Sequence, residues 1–250
     1  MIVLSEEESF MYFGKNRIII NFIIVLLIIS ILVQGVLLLL EPFSIEYTNT
    51  NKMTFGYFIY DLIGLLFSTP SPVIATFIIL RKAEKISLKE FIRRFFKNAF
   101  RLKTIIITLS FCFLAFVFAL INGIRIDGSW LLMIGGLIIM IPFVGFAEET
   151  GWRGILQPEL EKKYGFLTST LIVAIIWYVW HLPIWLMPSS NHYGDSLIGF
   201  GITILVWSFV SASIYKTTKS VFACAFYHAF IDSLGAVYDW NKLFDSFPKD

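Results

Sequence analysis

Three short stretches of this 250-residue chain put ionisable side chains among almost entirely apolar neighbours. Glu148, Glu149 and Arg153 follow the run "WLLMIGGLIIMIPFV"; His181 lies within "IIWYVWHLPIW"; His228 and Asp232 lie within "CAFYHAFIDSLG". Ionisable groups inside hydrocarbon are rare and expensive, and by default they mark function. Glu149 and Arg153 are four residues apart with the acid first, the favoured order for a helical ion pair. Glu148 is rotated from Glu149 by about 100°. One glutamate can therefore be neutralised by Arg153 while the other projects into a cavity. A carboxylate without a cation in low-dielectric surroundings is a stronger base than in water, and suits general-base work near neutral pH. His228 and Asp232, again four apart, share one helix face. Two of the chain's three histidines belong to this set.

Such a set activates water. It can hold a divalent metal, zinc for example, through Glu148, His181, His228 and Asp232, as His and carboxylate ligands do in catalytic zinc sites. It can equally act without metal, Glu148 taking the proton while other polar groups stabilise an oxyanion. The bland alternative is a set of interhelical hydrogen bonds that only hold a bundle together. His192 sits in a loop with Asn191 and Asp195 and reads as a surface residue. Asp61 stands alone in an apolar segment.

The elements that must carry these residues are membrane helices. Hydrophobic residues make up 57% of the chain and charged ones 15%, against roughly 25% charged in a soluble domain; mean hydropathy is +0.77. A crossing helix needs about 20 apolar residues. Seven candidates run Ile18–Leu40, Phe55–Leu80, Thr104–Ile124, Trp130–Phe146, Phe166–Met187, Leu197–Tyr215 and Ser220–Val237. The expected fold is all-α: a polytopic helical bundle of seven spans, or eight if one more follows Met187, forming a single membrane domain over residues 1–250. "STPSP" (Ser68–Pro72) should kink the second span. The first apolar run is too long for a signal peptide and lacks a small-residue cleavage pattern. Cys112 and Cys224 both lie in apolar runs, which argues against a cysteine-built zinc site or disulfide framework.

Residues Arg81–Lys103 differ, with nine Lys or Arg and two Glu. "KISLKEFIRRFFKNAF" sets Ile86, Phe91, Phe95 and Phe96 among Lys89, Arg93, Arg94 and Lys97. That pattern reads as an amphipathic helix on a leaflet of anionic lipids, in preference to nucleic-acid binding. Placing it in the cytoplasm puts sixteen Lys or Arg inside, among them Lys15, Arg17, Arg153, Lys162 and Lys163, and four outside: Lys52, Arg125, Lys242 and Lys249. The bias fits a multi-pass protein of the cell membrane with its N-terminus inside and C-terminus outside.

Taken together, "EETGWR", "WYVWH" and "HAFID" resemble the CPBP family, the CAAX proteases and bacteriocin-processing enzymes also called the Abi family. Its pattern is EExxxR, then FxxxH, then HxxxN or HxxxD, on separate membrane helices. "RGILQPEL" after Arg153 and the basic "ISLKEFIRRFF" are also similar to the family, so the resemblance covers residues 80–237. It implies an intramembrane endopeptidase, glutamate-dependent or a metallopeptidase, acting on a peptide or a lipidated protein. Eukaryotic members cut the last three residues from prenylated CaaX proteins; bacterial members are linked to peptide processing and bacteriocin maturation or immunity. By carry-over Glu148 is the catalytic base, His181 holds the water, His228 and Asp232 line the oxyanion or metal site, and Glu149 and Arg153 support them.

Two positions depart from the pattern. Trp177 replaces the usual Phe and should mainly reshape the pocket wall. Asp232 cannot donate to an oxyanion when ionised, as Asn can; it is protonated, orients His228, or helps bind a metal. The span boundaries also conflict. His181 falls about 22 Å along a straight fifth span, while the glutamates sit at the inner end of the fourth. Either the fourth span reaches further than drawn or Arg153–Tyr164 dips back into the bilayer. Competing readings are a catalytically silent family member acting in immunity or as a scaffold, and a proton-coupled transporter, which would show repeated halves. A di-iron oxidase would need many more histidines.

Overall fold

The structure, a computed structural model, describes residues 6–121, 128–190 and 192–238, all helix and connecting turns apart from one isolated bridge residue at Tyr238. Arg125, Asn191, Lys242, Lys249, the side chains of Lys15 and Arg17, and with them the C-terminal end of the topology, lie outside the described residues.

Ten α-helices follow one another: α1 (Glu6–Thr50), α2 (Phe55–Ile63), α3 (Ser71–Glu84), α4 (Leu88–Phe95), α5 (Leu102–Ile121), α6 (Trp130–Met140), α7 (Phe146–Gly151), α8 (Gln157–His181), α9 (Leu197–Thr218) and α10 (Val221–Leu234). Among the described residues four helical runs are long and apolar enough to cross a membrane: Ile18–Thr50, Leu102–Ile121, Trp130–Leu186 and Leu197–Thr218. A fifth is the pair Phe55–Ser68 and Ser71–Glu84, bent by 45° at the "STPSP" stretch. Val221–Leu234 is a shorter apolar helix. The chain is thus a multi-pass helical membrane bundle.

The 57-residue run Trp130–Leu186 joins the fourth and fifth expected spans. Straight, it would measure about 85 Å, far beyond a hydrocarbon core of about 30 Å. It folds back instead at Gly165, where φ is 73° and ψ 179°. Side-chain pairs locate the turn: Gln157 Nε2 donates to Thr170 Oγ1 at 3.1 Å, and the Trp152 and Trp177 rings lie 6.4 Å apart. Both pairs are centred on residues 163–165, as an antiparallel hairpin requires. The fourth span therefore continues through the glutamates to Tyr164. Descending about 26 Å from Glu148 to the turn and climbing about 24 Å to His181 brings the two to one level, which removes the conflict in depth. Arg153, expected as a cytoplasmic charge, is fully buried in this hairpin.

Three π-helical turns interrupt the helices at Gly64–Ser68, Ile141–Gly145 and Trp152–Leu156. Each contains or closely precedes a proline: Pro70, Pro142 and Pro158 respectively. A proline has no N–H to give its helix and its ring crowds the preceding turn, so the ladder widens. Thr69, Phe146 and Gln157 accordingly donate their backbone N–H five residues back, to Gly64, Ile141 and Trp152.

The basic segment forms a shorter helix than expected, α4, capped by Ser87 Oγ accepting from Glu90 N at 3.2 Å. Part of its apolar face is covered by protein, while Leu88, Ile92 and Phe96 stay exposed. Phe91 and Phe95 are buried, and their rings lie 6.3 and 4.5 Å from Phe146. Lys89, Arg93, Arg94 and Lys97 stay exposed. Hydrogen bonds from Arg93, and then Arg94, hold the Glu90 carboxyl down to about 2.

Gly165 tests the hairpin. Its backbone angles are open essentially only to glycine, and an added Cβ would meet no atom within 4 Å, so strain is the sole cost of a side chain. Gly165→Ala should lower stability by about 1–3 kcal/mol, read as a drop in melting temperature of the purified protein in detergent.

Candidate active site

The glutamates ride on α7, a helix of 6 residues that packs against α3 and α10. Gly145, just before it, permits that approach: a Cβ there would stand 2.3 Å from the Ala225 carbonyl oxygen on α10. Gly151, at its end, does the same against Pro72 on α3. A short helix gripped at both ends holds Glu148 and Glu149 in fixed directions, both buried, with 4% and 0% exposure.

The two carboxylates have different partners. Glu149 Oε1 accepts from Arg153 Nη1 at 3.2 Å and from His228 Nδ1 at 3.0 Å. Arg153 also donates through Nη2 to the Ser208 carbonyl at 2.9 Å and to Ser208 Oγ at 3.0 Å. Its guanidinium lies over the Trp177 ring, 5.3 Å from the centroid. The far nitrogen of His228, Nε2, faces Asp232 Oδ2 at 3.5 Å. A buried line therefore runs Arg153–Glu149–His228–Asp232 across α7, α10 and the turn between α7 and α8. The ion pair expected from spacing is part of it.

Glu148 meets no cation within ion-pair distance among the described residues. Its Oε2 accepts from two indoles: Trp177 Nε1 at 2.7 Å and Trp152 Nε1 at 3.3 Å. Trp177 thus differs from its sequence reading. It does wall the pocket, but its main effect is a hydrogen bond that the usual Phe could not make. Trp152 was missed altogether. The available signal was its position four residues after Glu148, on the same helix face.

His181 is half-buried at the end of α8. Its Nδ1 donates to the Trp177 carbonyl at 2.9 Å, because a carbonyl can only accept. Nε2 of the neutral ring is then an acceptor. His192, half-buried in the loop before α9, pairs with Asp195 at 3.1 Å and stacks on Trp185; its ring and that of His181 each lie 5.2 Å from the Phe200 ring, so it is closer to the polar centre than the surface reading expects. Cys112 and Cys224 are free and buried.

A zinc ion held by Glu148, His181, His228 and Asp232 does not fit these side chains. Among the described residues no three His, Cys, Asp or Glu come together to hold a metal ion, and both ring nitrogens of His228 already face carboxylates.

Helical hairpins that bury a glutamate pair, an arginine and two histidines define a polytopic membrane protein with a hydrolase-like polar centre. Residues 129–234 match the family model described as type II CAAX prenyl endopeptidase Rce1-like. That stretch carries all three motifs through which the chain resembles the CPBP family. The chain is also 25% identical over 196 residues to CAAX prenyl protease 2 of Methanococcus maripaludis, covering 70% of this chain and 71% of that protein. Both similarities support a CAAX-type endopeptidase.

Two substitutions weigh the network. Arg153→Leu leaves Glu149 buried without its cation, a loss of about 3–5 kcal/mol; folded protein should nearly vanish in fluorescence-detected size-exclusion chromatography. Trp177→Phe removes only the indole donor and should cost about 1–3 kcal/mol, leaving a monodisperse protein with a lowered melting temperature.

Proposed function

We propose that this protein is a membrane-embedded endopeptidase in which Glu148 activates the attacking water. The observation that carries this reading is the unequal treatment of two adjacent buried glutamates. Glu149 is tied to Arg153 and His228, whereas Glu148 has only neutral indole donors, both on Oε2. Its other oxygen is left to receive a proton. His181, whose Nε2 accepts, holds the same water from the far side. As the hydroxide adds to the scissile carbonyl, negative charge grows on the carbonyl oxygen. His228 is the donor for it. With carboxylates on both ring nitrogens the ring donates from each, and the contact to Asp232 is the longer at 3.5 Å. Nε2–H can turn from Asp232 to the oxyanion. Asp232 then needs no proton of its own, because it acts by orienting His228. Glu148 returns its proton to the leaving amine. No step runs through a metal.

The working core is residues 80–237 within one membrane domain, 1–250, with the N-terminus cytoplasmic and the C-terminus outside. The substrate is a peptide or a lipidated protein. The relative's name, CAAX prenyl protease 2, favours a prenylated C-terminus over the bacteriocin-type precursors of other family members. With Phe91 and Phe95 packed on protein, the exposed basic face of α4 supplies the attraction to anionic lipids, about 1 kcal/mol per Lys or Arg near the surface.

Glu148→Gln keeps a carbonyl oxygen for both indoles but cannot take a proton. Peptide cleavage should fall by about 10²–10⁴-fold while the melting temperature stays near wild type; full activity would sink the mechanism. Cleavage by wild type should persist in a strong chelator after metal analysis shows the protein to be metal-free.

A further inference from the structure

A second polar place exists in the membrane part, and the water-activating centre does not use it. A cavity of about 340 Å³ lies between α1, the bent segment after α2, and the turns that follow His181. Gln34, Tyr60, Asp61 and Ser68 line it together with Ile184 and Met187. Gln34 is only 6% exposed. Its Nε2 donates to Ser68 Oγ at 2.9 Å, but its Oε1 is buried without a partner. Glu41, outside the lining, is 5% exposed, and its Oε1 accepts from Ser189 N at 2.7 Å. Asp61, the acid that stood alone in the sequence, is exposed on the cavity's rim. No lysine or arginine is among the lining residues.

Unpartnered buried acceptors cost about 1–3 kcal/mol each, and a carboxylate on a span surface seeks a cation. The missing complement is a group that only donates and carries positive charge. A bare ion is far too small for this volume. A primary ammonium on a flexible alkyl stem fits it: donors for Gln34 and Asp61, and methylenes for Ile184 and Met187.

We propose that this pocket binds a protonated primary amine, the lysine side chain of the peptide substrate, an inference that rests on the peptidase reading. Position favours a peptide over an ethanolamine lipid headgroup. From the start of α2 the lining runs from Tyr60, about 8 Å along, to Ser68, about 20 Å along. That is deeper than a headgroup reaches, since the interfacial layers are only about 5–8 Å thick. The wall formed by Ile184 and Met187 belongs to the chain directly after His181. Trp180, beside His181, is fixed by donating to Ser30 Oγ at 3.1 Å and Ser71 Oγ at 3.0 Å. From Trp177 to this wall is about 12–18 Å along the helix axis. A lysine stem spans about 6 Å, which leaves two to four extended residues between the cut and the lysine.

The test uses the full-length protein in phosphatidylcholine nanodiscs. Pentylamine should raise the melting temperature of wild type, pentanol should not, and Asp61→Asn and Gln34→Leu should each abolish the rise. Labelled peptides with Lys or norleucine two to four residues from the cut are then bound to Glu148→Gln, which leaves them intact. The Lys peptide should bind about tenfold more tightly, and adding Asp61→Asn should erase that margin without weakening the norleucine peptide. No amine shift, or an equal affinity for both peptides, overturns the proposal. So does stabilisation by phosphatidylethanolamine without any lysine preference, which would make the site a lipid site. Because binding is read without cleavage, an inactive wild type would refute the peptidase reading while leaving the pocket decided by its own result.

Discussion

The buried line from Arg153 through Glu149 and His228 to Asp232 is the interaction on which the rest depends. Arg153 and Glu149 are both fully buried. Removing such ions from water costs several kcal/mol each, and only close pairing with further hydrogen bonds offsets it. The protein supplies these from four directions: the carboxylate of Glu149, the carbonyl and hydroxyl of Ser208 on α9, and the face of Trp177 on α8. The pair thereby ties four helical segments to one point. With its cation committed to Glu149, Glu148 is left among neutral donors. A single guanidinium thus sets the two apart: Glu149 is ion-paired and Glu148 is not.

Burial of that kind requires backbones that come very close and a chain that can stop and turn. The glycines at 145 and 151 let α7 touch α10 and α3. The prolines at 142 and 158 accompany wide turns on both sides of it. Gly165 reverses the chain where any other residue would be strained. These are small residues and breakers in otherwise continuous apolar sequence, and in a bilayer they are tolerated because neighbouring helices recover the freed backbone groups. The aromatic residues fill what is left. Trp152, Trp177 and Trp180 form one wall, whose indole nitrogens reach Glu148 on one side and the serines of α1 and α3 on the other.

Much of this was legible beforehand where the physics is local. Membrane helices follow from runs of apolar residues, and the Glu149–Arg153 pair follows from an i,i+4 spacing that any helix converts into proximity. The kink at Pro70–Pro72 follows from a missing N–H. The amphipathic reading of α4 was right about which residues share a face, because period alone decides that. It could not say which part of the apolar face meets protein. Phe91 and Phe95 choose Phe146 over lipid, and nothing in the period distinguishes one apolar neighbour from another.

By itself, then, the sequence determined an all-helical membrane chain, the order of its motifs, and the division of labour between two adjacent glutamates. These are set by hydropathy, helical period and charge over a few residues. Only the tertiary structure decided the level at which the motifs meet, because that depends on where one hairpin turns: at Gly165, not at the last apolar residue of the fourth span. It also decided that Trp177 is a donor to Glu148, that Asp232 stands behind His228, and that Gln34, Asp61 and Ser68 gather around one cavity. Each of those contacts joins residues far apart in the chain, and the packing of helices sets them, which no local pattern records.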